Sequence, residues 1–176
     1  MIKRTHIPAL LAVAAIALAG CGSSNAKPAQ IPAGPAPTAP PPPQASTNLK
    51  DTKTKPVVPK QTGPAPTKLV VKDIVVGKGP AAKKGSKLSV QYVGVLYKGG
   101  QQFDASWDNG SPFPLTLGQG GVIKGWDQGL VGIKAGGRRE LIIPAKLAYG
   151  PQGQGATIPP NSPLVFIVDA LSVSGK

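Results

Sequence analysis

Three observations predict an α+β domain, an antiparallel sheet of about five strands carrying one short helix. Past Lys68 the apolar residues recur mostly with period two and are often β-branched. Only one stretch, residues 124–130, changes to helical spacing, and glycine or proline punctuates nearly every join. A sheet with a single helix packed on it is the economical way to close a core from such elements.

Taken in order, residues 69–76 are β-branched and stop at Gly77, Gly79 and Pro80. Residues 87–97 alternate, with Leu88, Val90 and Tyr92 on one face and Ser89, Gln91 and Val93 on the other. Lys98-Gly99-Gly100 reads as a turn, so residues 101–104 return as the second arm of a hairpin. Residues 114–117 make a short extended piece, and Gly118-Gln119-Gly120-Gly121 a turn; it lacks the Gly-Lys-Ser/Thr end of a phosphate loop. In the helix Trp126 and Leu130 lie four apart, with Val131 next and Ile133 closing the stretch before a stop at Gly136 and Gly137. Residues 138–143 and 164–173 complete the strands, the latter with Leu164, Phe166, Val168 and Ala170 on one face. Asp127 and Asp169 read as exposed helix and strand positions. Between these strands, residues 148–163 are rich in Gly and Pro and long for a connection, which marks a functional loop.

The N-terminal third has another character. Lys3 and Arg4 precede an uncharged run from Ile7 to Gly20, shorter than the roughly 20 apolar residues a bilayer span needs. That is the build of a secretory signal over residues 1–20. Leu18-Ala19-Gly20-Cys21 resembles the lipobox of bacterial lipoproteins, which implies cleavage before Cys21 and lipidation of its thiol. Acyl chains gain about 0.8 kcal/mol per buried methylene, so such an anchor holds the exported protein to the cell membrane on its outer side. Residues 22–67 contain 12 of the 21 prolines and few large apolar side chains. They read as a disordered spacer, giving boundaries of 1–20 for the signal, 21–67 for the lipidated Cys and tether, and 68–176 for the domain.

A formal charge of +13 invites a nucleic-acid partner. Only +7 of it lies in the domain, from 13 basic and six acidic residues that are scattered and not interleaved with aromatics. No nucleic acid is expected. The sole histidine, His6, lies in the signal, and Cys21 is the sole cysteine. The mature chain therefore has no Ser-His-Asp or Cys-His hydrolase and no His/Cys metal site, and no cofactor is expected.

Rotation about the bond before proline needs none of these groups. Its barrier of about 18–20 kcal/mol comes from amide resonance, and a dry pocket with a few donors for the twisted amide lowers it without covalent chemistry. Val90-Gln91-Tyr92-Val93-Gly94, Phe103-Asp104-Ala105-Ser106, Gly121-Val122-Ile123-Lys124-Gly125-Trp126, Leu147-Ala148-Tyr149-Gly150, Ile158-Pro159-Pro160 and Leu164-Val165-Phe166 carry a resemblance. In order and spacing they resemble the motifs of FKBP-type peptidyl-prolyl cis/trans isomerases, over residues 68–174.

The resemblance implies a bent antiparallel sheet wrapped around the short helix. It makes Trp126 the floor beneath the proline ring and Tyr92, Phe103, Phe113, Val122, Ile123 and Phe166 the walls, with Ile158 also on the substrate. It gives Ile123 N–H and the Tyr149 hydroxyl as donors to substrate carbonyls, and places Asp104 at the rim beside the twisting amide or Tyr92. Spacing alone favours plain core packing for each aromatic and a turn carboxylate for Asp104. Asn109, Gln154 and Thr157 depart from the pattern, where arginine, histidine and isoleucine are common; the first removes a charged partner of Asp104. The implied partners are proline-containing exported polypeptides, with macrolides as further ligands and a monomeric domain. A peptide-holding module with little turnover is the competing reading.

Overall fold

The computed structural model describes residues 45–175. The signal, Cys21 and the first half of the expected tether lie outside the described residues. Two short strands, β1 (Ala45–Ser46) and β2 (Lys55–Pro56), pair in parallel. The main sheet is antiparallel and comprises β3 (Val70–Val75), β4 (Lys87–Leu96), β5 (Gln102–Ala105), β6 (Phe113–Thr116), β7 (Arg138–Ile143) and β8 (Leu164–Ser174). Its order is β3-β7-β8-β4-β5. β6 also pairs with β4, at residues 87–90, whereas β5 pairs at residues 93–95. The expected α+β class holds.

The helix α1 (Lys124–Gly129) packs its apolar stripe on the sheet. Gly125 and Gly129, one turn apart, allow the close approach: a Cβ would lie 2.4 Å from Ile143 at the first and 2.7 Å from Leu141 at the second. Helix and sheet enclose the main core, in which Leu130, Leu141, Ile143, Leu164 and Val168 have no exposed surface. The helix stops earlier than the spacing implies. Gly132, at φ 81°, makes the turn, and Val131 is left half exposed.

The opposite face of the sheet is covered as well, contrary to the expectation of a disordered tether. Val93, Val95, Tyr97 and Val165 point there and pack with Val58, Ala65 and Trp107 in a second core cluster. Residues 45–67 form a strap over that face. Arg138, fully buried, holds Asp169 with two bonds, at 2.5 and 2.8 Å, and donates to the Leu49 and Thr54 carbonyls at 3.1 Å each. Lys55 pairs with Asp108 at 2.6 Å, and the Tyr97 hydroxyl donates to the Pro64 carbonyl at 3.2 Å. The physical reason is backbone pairing: a proline-rich, polar chain can still be ordered when a buried guanidinium binds its carbonyls. Asp169, read as an exposed strand position, is 1% exposed for the same reason. Desolvation pushes its carboxyl up against the opposing pull of Arg138.

Candidate active site

The strand pattern that builds the core also gathers the aromatics at one end of it. Tyr92 of β4 and Phe166 of β8 point to the helix side, β5 brings Phe103 and Asp104, β6 brings Phe113, and α1 brings Trp126. Tyr149 comes from the long loop, after a 3₁₀ turn at Ala145–Leu147. Together with Gly121, Val122 and Ile123 these residues line a cup of about 230 Å³. Nine of the ten residues named as catalytic or substrate-binding from the sequence are therefore brought together. Ile158 is not among the lining residues: it is 4% exposed in the main core, where Gln154 exchanges two backbone bonds with it across a tight turn.

Trp126 is the hub. Its ring meets Tyr92 at 5.1 Å, Phe166 at 5.3 Å and Phe113 at 6.2 Å, each nearly perpendicular. Such edge-to-face contacts are the preferred geometry of aromatic pairs and fix each ring by its neighbours. Phe103 meets Phe166 edge-on at 5.5 Å. Gly94 makes that pair possible, because a Cβ there would come within 2.7 Å of both rings. Trp126 is 4% exposed and Phe113 38%, so the first forms the bottom of the cup and the second its lip.

The rim is polar. The Tyr92 hydroxyl donates to Asp104 Oδ2 at 2.5 Å, so a tyrosine orients the carboxylate that lacks an arginine partner at Asn109. Burial, reinforced by that bond and by the Asp104 charge, pushes the Tyr92 phenol well above its ordinary range. Burial and then the Asp104 charge raise Tyr149 too. Both phenols stay protonated at neutral pH and remain donors. Among the departures, Asn109, Gln154 and Thr157 are all exposed.

Two supporting residues escaped sequence reading. Buried Ser106 accepts the Tyr92 backbone N–H at 2.8 Å and donates to Gln91 Oε1, locking the strand that carries Tyr92. Asp127, expected at an exposed position with no task, accepts the N–H groups of Gly118 and Gly120 at 2.8 and 3.2 Å, and so ties down the loop leading to Gly121, Val122 and Ile123. Its signal was the run of loop amides six to nine residues upstream, with few side chains of their own to bind them.

A cup of perpendicular rings, with hydroxyl and carboxylate groups at its rim, thus lies on a sheet closed by one helix. Residues 79–171 match the family model described as FKBP-type peptidyl-prolyl cis-trans isomerase. An FK506-binding protein of Streptomyces anulatus is 52% identical over 120 residues, covering 68% of this chain and 97% of that one. An FK506-binding protein of Neisseria meningitidis serogroup A is 46% identical over 105 residues, covering 60% of this chain and 95% of that one. Among solved structures, AtFKBP13 superposes with a TM-score of 0.57 at 40% identity, covering 62% of this chain and 96% of that one. FkpA from Escherichia coli superposes with a TM-score of 0.56 at 45% identity, covering 61% and 49%. The chain belongs to the FKBP-type peptidyl-prolyl cis-trans isomerases, and it is an enzyme of that activity.

Proposed function

We propose that this isomerase works outside the cytoplasm, held to a membrane by lipidated Cys21, and that it turns prolyl bonds of exported polypeptides in the aromatic cup. The observation that carries the catalytic reading is the set of rings packed edge-on around Trp126. A proline ring lying on that floor is held by apolar contact while the amide before it is left at the rim. Planar amide is stabilised by charge-separated resonance, and removal from water weakens that form more than the twisted one. Ile123 N–H and the Tyr149 hydroxyl then fix the flanking carbonyls, and the Asp104 carboxylate, oriented by Tyr92, faces the amide as it rotates. No bond forms with the protein. Each 1.36 kcal/mol by which the cup favours the twisted amide over the planar one gives a tenfold gain in rate.

Location rests on the apolar run and the Leu18-Ala19-Gly20-Cys21 sequence. The names of the relatives support a second use of the same cup, binding of FK506-like macrolides. The test is isomerisation of short X-Pro peptides by the purified protein and two variants. Trp126→Ala should lower kcat/KM by about 100-fold, the equivalent of roughly 2.7 kcal/mol, and Tyr149→Phe by about fivefold. Wild-type kcat/KM in a folded Trp126→Ala protein would sink the cup mechanism. Lipid labelling that persists in Cys21→Ser would sink the anchor.

A further inference from the structure

A second cavity adjoins the cup. It has a volume of about 410 Å³ and shares Phe113, Gly121 and Val122 with the cup, so the Phe113 lip is a ridge between two connected spaces. Its floor is the cross-strand pair Leu88 and Leu115 of β4 and β6, both buried. The next pair outward is Lys87 and Thr116, and both line the groove. Among the described residues, Lys87 is the only ionisable one lining it. Its amine is in no ion pair among the described residues. Lys84 adds a second cation at that end, its side chain lying against Gly118, where a Cβ would come within 2.5 Å of it. Among the described residues no acidic side chain lines the groove, and nearby Asp127 is engaged by the Gly118 and Gly120 amides.

We propose that this groove is a subsite for the substrate residues flanking the isomerised bond, and that Lys87 gives it a preference for an acidic side chain. The inference rests on the cup being the prolyl site. A polypeptide seated there and leaving over the Phe113 lip enters the groove directly, because the two cavities share a wall. The leucine floor accepts an apolar or extended stretch, and the unpaired ammonium beyond it complements a carboxylate. β6 has β4 as its one strand neighbour among the described residues, so no further strand closes that side of the groove. Lys87 is a specificity determinant in this scheme and takes no part in the rotation itself.

The test compares one X-Pro tetrapeptide with the same peptide extended by three residues on each side in turn, the extension carrying Glu, Ala or Lys. The readout is the kcat/KM ratio of Glu- to Ala-extended peptide within one enzyme. For the wild type a ratio of about 3–10 is expected at low salt, falling toward one at high salt, as for a solvent-accessible charge pair. In Lys87→Glu the ratio should drop below one and the Lys-extended peptide should become the better substrate. In Lys72→Glu, on the far edge strand β3, it should keep its wild-type value, which separates a local contact from net charge. Equal kcat/KM for the three extensions, or a Glu preference that survives Lys87→Glu or vanishes equally in Lys72→Glu, would overturn the groove alone. Failure of the wild type to accelerate even the unextended tetrapeptide would break the cup reading and the groove with it.

Discussion

The two faces of the main sheet are each pinned by one of two neighbouring arginines on β7, and they put the same device to different ends. On the inner face Arg139 holds Asp73 with bonds of 2.6 and 3.0 Å and donates to the Gly129 and Val131 carbonyls at 2.8 and 2.9 Å. It thereby satisfies carbonyls at the end of α1 and fixes the helix that carries Trp126. On the outer face Arg138 holds Asp169 and the strap. In the outer layer Val93, Val95, Tyr97 and Val165 pack with Val58 and Ala65 of the strap and with Trp107, while the inner layer leaves an aromatic cup at one end. One face keeps the sheet rigid; the other spends part of its packing on an open, aromatic-lined site. Changes on the outer face should therefore cost stability and spare turnover, whereas changes in the cup should cost turnover.

The largest expected break of that symmetry is Arg138→Met. Removing one partner strands the Asp169 carboxylate in a 1% exposed position and frees the strap carbonyls. Breaking a buried pair in this way costs about 3–5 kcal/mol. Denaturant unfolding should show that loss, while kcat/KM per folded molecule stays within about twofold. A parallel fall in kcat/KM would mean that the two faces are coupled. Deleting the strap, with the chain started at Lys68, comes next, with a loss of about 2–3 kcal/mol from re-exposed Val93, Val95 and Tyr97, less the ordering entropy regained. Unchanged stability would return residues 45–67 to the role of a spacer.

The inner face was legible in the sequence and the outer one was not, for one reason. Period-two alternation marks Leu88, Val90 and Tyr92, or Leu164, Phe166 and Val168, as one buried row, and it assigns the other row to solvent by default. Val93, Val95, Val165 and Ile167 break that default and Asp169 conforms to it, yet all five are buried. What covers them is held by bonds to carbonyls at Leu49 and Thr54, which no side-chain pattern encodes. The same holds within the site. The rings stood out by motif, whereas Ser106, Asp127 and Gly94 act by meeting backbone groups or by leaving room, and Ile158 shared a motif with the cup but turned into the core.

The smallest predicted effect concerns the rim and sharpens the comparison from the inner side. Tyr92 and Tyr149 both have phenols raised above the ordinary value of 10.0 in the folded protein, chiefly by burial. In the unfolded chain they ionise near that ordinary value. Between the two, as pH rises above about 10, the unfolded state has lost protons that the native state still holds, so the unfolded state gains and stability falls with rising pH. The contribution of these phenols is fully present below pH 10 and is lost upward from there. Unfolding followed from pH 8 to 11 should show this decline, and the double variant Tyr92→Phe/Tyr149→Phe should flatten it relative to wild type. Ion pairs of the outer face are common to both proteins and cancel in that difference. A slope identical in wild type and double variant would place the alkaline loss elsewhere and would remove the burial of the rim hydroxyls as a feature of the cup.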